Sequence, residues 1–129
     1  MMREESLKMK IKALIVDDNM VNRAIHQKLL DNLGIETEMV ANGKQAVDLY
    51  SAGKIFDLIL MDMEMPVMNG LEATKKLREM GIRSRIAGVS TSSSERERQE
   101  FIEAGLDYYE EKPLTKAKLV SILNNFELN

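Results

Sequence analysis

Short apolar runs alternate along this chain with stretches of helical rhythm, and the alternation predicts five strands interleaved with five helices. Lys10 to Val16 begins with polar-apolar alternation and ends in an apolar run, the pattern of a first strand whose far half is deeply buried; it stops at Asp17-Asp18-Asn19. Val21, Ile25, Leu29 and Leu33 then recur at four-residue steps, predicting a helix over about 21–33 with Gly34 just past its end. Residues 35–40 read as a second strand, and Asn42-Gly43 opens a second helix that carries Ala46, Val47 and Tyr50. A third helix after Gly70 carries Leu71, Ala73, Thr74 and Leu77 and ends at Gly81. Residues 85–90 form a fourth strand, and Ser94 with Glu97 makes a capping box for a fourth helix that stops at Gly105. A short strand at about 107–110 runs into Lys112-Pro113, and Thr115 caps a last helix whose Leu119, Ile122, Leu123 and Phe126 face the core.

The stretch from Phe56 to Pro66 is the centre of this pattern. Its near-continuous apolar run reads as a central strand, at about 57–61, covered on both faces, and it ends abruptly in Asp62 before a turn at Pro66 and Asn69-Gly70. Strict alternation of strand and helix implies right-handed crossovers, so the predicted fold is α/β, a doubly wound five-stranded parallel sheet. Every strand then points its carboxyl end to one edge, where ligands of such sheets bind.

Composition narrows the possibilities. At 129 residues the chain fits one domain, predicted at 10–129 behind a disordered N-terminal arm at 1–9. With 44% hydrophobic residues, 30% charged and a net charge of −3, it has an ordinary globular composition that predicts neither membrane nor nucleic-acid binding. There is no cysteine, which excludes disulfides, thiolate metal sites and thiol nucleophiles, and the single His26 cannot build a zinc site.

Four strands deliver chemistry to the same edge: Asp17 and Asp18 from the first, Asp62 from the third, Ser90 from the fourth and Lys112 after the fifth. Taken singly each has a plainer role. Asp18 or Asn19 is more often a helix cap than a ligand, Asp62 a turn residue, Ser90 a strand end and Lys112 a solvated charge. Their convergence decides against those roles. Carboxylates a few ångströms apart repel by ~4 kcal/mol per pair at an effective dielectric of 20, so they need a cation or raised pKa values. Mg²⁺, with its preference for oxygen ligands and retained waters, suits them.

The same residues resemble the receiver domains of the two-component response-regulator family, whose fold is the (βα)5 flavodoxin-like sheet. Val16-Asp17-Asp18-Asn19 matches the family's acidic pair, Asp62 to Gly70 its D-x-x-M-P-x-M-[DN]-G signature, Ser90 its switch hydroxyl and Lys112-Pro113 its lysine and proline. The match spans residues 10–126, and Asp17-Asp18-Asn19-x-x-Asn22-Arg23 is similar to receivers served by a histidine phosphotransfer protein, among them the stand-alone plant receivers. The resemblance implies that Asp62 is the phosphoacceptor, that Asp18, Asp62 and the Glu64 carbonyl bind Mg²⁺ with Asp17 acting through water, and that Lys112 neutralises phosphoryl charge. It implies switch roles for Ser90 and Tyr109, the latter with a plain core tyrosine as the alternative, and a cis Lys112-Pro113 bond. The implied partners are the histidine phosphotransfer protein and an upstream hybrid histidine kinase, as in plant cytokinin signalling, met through Asn22, Ala24, Ile25, Pro113 and Leu114. For Ile25 a core position weighs evenly against contact.

Three departures stand out. Thr91 replaces a very small residue, Glu64 adds a carboxylate two residues past the acceptor, and Glu110-Glu111 replaces an apolar pair, predicting a short or exposed fifth strand. A monomer in the cytoplasm, and also the nucleus, is expected. Since the sequence stops about three residues past the last helix, no output module is expected, and the reading favours a phosphate sink over a phosphorylation-dependent adaptor, with a Mg²⁺-dependent phosphohydrolase third.

Overall fold

The computed structural model describes residues 11–91 and 93–128, so the predicted arm at 1–9 and the start of the first strand at Lys10 lie outside the described residues. The elements follow in strict alternation: β1 (Lys12–Val16), α1 (Met20–Asn32), β2 (Glu36–Val40), α2 (Gly43–Ser51), β3 (Leu58–Asp62), α3 (Gly70–Glu79), β4 (Arg85–Ser90), α4 (Glu95–Glu103), β5 (Tyr108–Glu111) and α5 (Lys116–Leu128). All strands pair in parallel, in the order β2-β1-β3-β4-β5. The order reverses between β1 and β3, and the crevice beyond the carboxyl ends of those two strands is where a doubly wound sheet takes its ligand.

Alternate residues of each buried strand serve opposite layers. Ala13, Ile15, Leu58, Leu60, Ala87 and Val89 pack with Leu30, Leu119, Ile122 and Leu123, which puts α1 and α5 on one face. Leu14, Val16, Ile59, Met61 and Ile86 pack with Ala46, Val47, Ala73, Leu77 and Leu106 on the other, under α2 and α3. Asp17 and Asp62 come next in the first series. β5 is four residues long at the sheet's edge and only half-buried, as its glutamates predicted.

In α1 the buried residues are His26 and Leu30, with Leu29 and Leu33 partly covered, while Val21 and Ile25 are exposed. The predicted face is corrected by helix geometry: at 3.6 residues per turn a four-residue step advances about 400°, so the series precesses about 40° per step. It starts in solvent and ends in the core.

Caps fix the helix ends. Asn19, Asn42, Asn69 and Ser94 each accept a backbone N–H in the first turn, and Asn69 and Ser94 complete capping boxes with Glu72 and Glu97. Gly70 brings α3 against the strand above it, since a Cβ there would stand 2.6 Å from the Asp62 carbonyl oxygen and 2.7 Å from the Met63 Cα. Only a residue without a Cβ lets the helix start this close to Asp62.

At the opposite, amino edge of the sheet, Arg78 gathers four backbone and side-chain partners. Its Nη1 donates to the carbonyls of Ile82 (2.8 Å) and Ser84 (2.9 Å), its Nε and Nη2 to that of Gly105 (3.0 and 2.9 Å), and Nη2 also to Asp107 Oδ2 (2.8 Å). Asp107 Oδ2 in turn accepts the Ile86 N–H at 2.8 Å.

One polar atom in the core is a net cost. The Thr74 hydroxyl is fully buried and finds no hydrogen-bond partner among the described residues. An unpaired buried hydroxyl forfeits its water without compensation, so Thr74→Val should raise stability by about 1 kcal/mol, read as a higher urea midpoint at unchanged slope. A lower midpoint would mean that the hydroxyl has a partner.

Candidate functional site

The carboxyl ends of β1 and β3 bring Asp17, Asp18 and Asp62 together, each offering a carboxylate oxygen within 4.8 Å of the others. Asp17 and Asp62 are buried and Asp18 is exposed. Asp17 Oδ1 accepts the Asn19 N–H at 2.8 Å, and its carbonyl accepts Arg23 Nη1 at 2.6 Å, so α1 holds the end of β1 in place. Around an octahedral Mg²⁺ with bonds of 2.0–2.1 Å, ligand oxygens lie about 3 to 4 Å apart. The cluster is close to that spacing and wholly of oxygen, so these three residues fit the ion.

Asp62 is only 3% exposed. Burial, with a smaller contribution from the Asp17 charge, raises its pKa to about 6, against the pull of the Glu64 N–H, 3.0 Å from Oδ1, and of Lys112. Lys112 Nζ lies 3.0 Å from the same oxygen. Burial pushes Lys112 down, but the hydrogen bond and charge of Asp62, followed by the charges of Asp17 and Glu64, outweigh it and hold the ammonium above the usual lysine range. The lysine therefore stays charged beside the acid. The peptide bond after it, to Pro113, is cis, as expected.

Glu64 sends its side chain away from the three aspartates. Its Oε2 accepts the hydroxyl of buried Ser90, while Oε1 lies 3.3 Å from the Thr91 N–H, 3.4 Å from the Thr91 hydroxyl and 3.8 Å from Lys112 Nζ. Tyr109, half-buried, shares a hydrogen bond with Ser93, stacks on Phe101 at 6.1 Å and lies under the Arg98 guanidinium at 5.2 Å. Its ring packs on the α2/α3 face of the core, whereas Asp62 continues the series on the α1/α5 face.

The five residues expected at the partner surface divide. Asn22, Ile25, Pro113 and Leu114 line one cavity of about 280 Å³ together with His26 and Lys112; Ala24 is exposed on α1 and is not part of that lining. Leu114 is 5% exposed and belongs to the core, so it forms the cavity's floor rather than free contact surface. Ile25 is 51% exposed, which settles its balance against a core position, and Met20 and Val21 are exposed beside it.

His26, which the sequence excludes as a zinc ligand and otherwise leaves without a role, is a site residue. It is buried under the cavity. Burial lowers its pKa, helped by the Lys112 charge and opposed by that of Asp17, so a neutral imidazole lies behind the acidic cluster. Its place one residue after the exposed Ile25, on the helix side that turns to the sheet, was the available signal.

Residues 13–124 match the response regulator receiver domain family. Two-component response regulator 24 of Arabidopsis thaliana is 62% identical over 115 residues, covering 89% of this chain and 83% of the relative. Two-component response regulator ARR22 of the same plant is 47% identical over 117 residues, covering 89% and 82%. Among solved structures, the receiver domain of a sensor histidine kinase from Pseudomonas aeruginosa PAO1, which holds a magnesium ion in its active site cleft, superposes with a TM-score of 0.81 at 33% identity, over 92% of this chain and 98% of that one.

Proposed function

The chain belongs to the response regulator receiver domain family, a signalling module of two-component systems, and on that premise we propose that it accepts a phosphoryl group on Asp62 from the phosphohistidine of a histidine phosphotransfer protein. The observation that carries this reading is Lys112 Nζ at 3.0 Å from Asp62 Oδ1, beside a cluster of three carboxylates.

An Asp62 carboxylate oxygen attacks phosphorus while the bond from phosphorus to the imidazole nitrogen breaks and the imidazole leaves with the bond's electron pair. In phosphoryl transfer the protein's work is positioning and electrostatic stabilisation. Gly70 and the Glu64 N–H fix where Asp62 stands, and Lys112 offsets charge on the phosphoryl oxygens as they leave the donor. Asp17, Asp18 and Asp62 would hold Mg²⁺, which when bound neutralises charge on the acceptor and the incoming phosphoryl group; the magnesium in the bacterial receiver's cleft supports this assignment. The exposed apolar residues of α1, Met20, Val21 and Ile25, together with Pro113, form the face on which the phosphotransfer protein docks, and a hybrid histidine kinase supplies that protein.

The phosphoryl group then leaves by hydrolysis. Water attacks phosphorus, the bond to Asp62 breaks, and inorganic phosphate departs, so the receiver drains the relay. What favours a drain over a phosphorylation-dependent adaptor is α4, which has no buried residue and whose stretch from Glu95 to Glu100 is charged or polar throughout, leaving little apolar surface for a stable target.

In a reconstituted relay, a small molar fraction of the protein should speed loss of phosphohistidine severalfold with stoichiometric release of inorganic phosphate. A long-lived phosphoprotein without phosphate release would favour the adaptor.

A further inference from the structure

Among the described residues, Glu64 is the one carboxylate of the pocket that faces hydrogen-bond donors instead of the aspartate cluster. Its two oxygens are divided between the Ser90 hydroxyl on one side and the Thr91 N–H and hydroxyl on the other, with Lys112 Nζ 3.8 Å away. A hydroxyl, a backbone N–H and an ammonium converging on two anionic oxygens make an oxyanion cradle. The same ammonium is 3.0 Å from Asp62 Oδ1, so the cradle opens onto the carboxylate that is to carry the phosphoryl group.

We propose that the Glu64 carboxylate is a built-in placeholder for the phosphoryl group: in the unphosphorylated protein it occupies the oxyanion cradle of Ser90, Thr91 and Lys112, and phosphorylation of Asp62 exchanges one anion for the other. This deepens the receiver reading and rests on it. A planar carboxylate presents two oxygens to the cradle, as two of the three oxygens of a phosphoryl group would. Both cannot be there together, because two anions in one cradle repel. The Glu64 side chain is 47% exposed, so its exit to solvent is open, whereas Ser90 is buried and stays to meet the incoming anion.

Two properties follow. Entry of any phosphoryl-like anion is opposed by a competitor that is never diluted, since it is tethered two residues from the acceptor. Moreover, the Ser90–Thr91 segment already holds an anion before phosphorylation, so exchanging that anion for a phosphoryl group leaves little displacement to cause. The receiver is then a poor conformational signal that holds its phosphoryl group weakly, which agrees with a drain.

The test uses beryllofluoride with Mg²⁺ as the phosphoryl mimic, titrated by calorimetry into the wild type, Glu64→Ala, Glu64→Asp, Glu64→Gln and Asp62→Asn. Glu64→Ala should bind about tenfold more tightly than the wild type. Glu64→Asp, whose shorter arm does not span the cradle, should follow Glu64→Ala, and Glu64→Gln, which keeps the reach without the charge, should fall between. The amide resonance of Thr91 supplies a second readout. In the absence of any added anion it should move on Glu64→Ala substitution, and beryllofluoride should move it more in that variant than in the wild type. Equal or weaker binding by both Glu64→Ala and Glu64→Asp, with uptake still lost in Asp62→Asn, overturns the placeholder and leaves the receiver reading intact. Should Asp62→Asn bind the mimic as the wild type does, the receiver reading itself fails.

Discussion

Protein carrying Asp62→Asn should take up no phosphoryl group, either from acetyl phosphate or from a phosphorylated phosphotransfer partner, where the wild type should gain one by mass. The reason is local: among the described residues, Asp62 is the single carboxylate that both contacts Lys112 at 3.0 Å and joins the three-aspartate cluster. Asp18 lies exposed on the cluster's rim and Glu64 is engaged with Ser90, so neither substitutes for it. A chelator should silence the wild type as completely as the substitution does. Labelling of Asp62→Asn at the wild-type rate, or labelling that ignores chelator, would show that the acceptor lies elsewhere.

The same variant reports on stability. Burial lifts Asp62 from its ordinary 3.8 to about 6 in the folded, metal-free protein. Between those two values the folded state holds a proton that the unfolded state has released, so stability falls as pH rises through that window, and the whole penalty is present above it. Linkage puts it on the order of 2 to 3 kcal/mol at neutral pH. Metal-free Asp62→Asn should therefore unfold at a higher temperature than the wild type at pH 7, with the gap closing toward pH 4. A gap that is constant with pH would remove burial as its cause.

Lys112→Ala should slow phosphorylation by acetyl phosphate about 10²- to 10³-fold at saturating Mg²⁺, the loss typical of deleting one preorganised partner of a developing anion. Metal affinity moves the other way. Lys112 is a cation against Asp62, one of the three proposed ligands, and removing it takes a repulsive charge from the proposed metal site, so Mg²⁺ should bind several times more tightly. Slow transfer combined with tighter metal binding is a signature that general damage to the pocket does not produce. A loss of both would assign Lys112 a purely structural role.

How much of this was legible in the sequence varies with the physics behind each feature. The strands were plain because burial on both faces leaves an apolar run that few other structures tolerate: the predicted fourth strand matches β4 residue for residue, and the central one is displaced by a single position. Helix caps were equally plain, since Ser94 and Glu97 need only each other to be recognised. The aspartate cluster could be assembled once the parallel order was inferred. The buried face of α1 was harder, because the precessing four-residue series hid His26 and Leu30 behind the more conspicuous Val21 and Ile25. The destination of the Glu64 side chain was not legible. Position two past the acceptor says where the residue starts, but only the placement of Ser90 and Thr91 on a neighbouring strand's end decides which way the carboxylate turns.

The Arg78 clasp has a consequence for how the molecule breathes. It ties the end of α3, the start of β4 and the turn after α4 into one knot, at the amino edge of the sheet and away from the acidic cluster. Local opening draws on whatever contacts must be broken first. The amide of Ile86, held through Asp107 to the clasp, should then exchange with deuterium only on global unfolding, while those of Glu64 and Thr91, bonded to side chains outside the clasp, should exchange through small local openings. The protein should then behave as a hand with a clenched heel and loose fingertips: the loops around the acidic cluster rearrange while the heel keeps the strands in register.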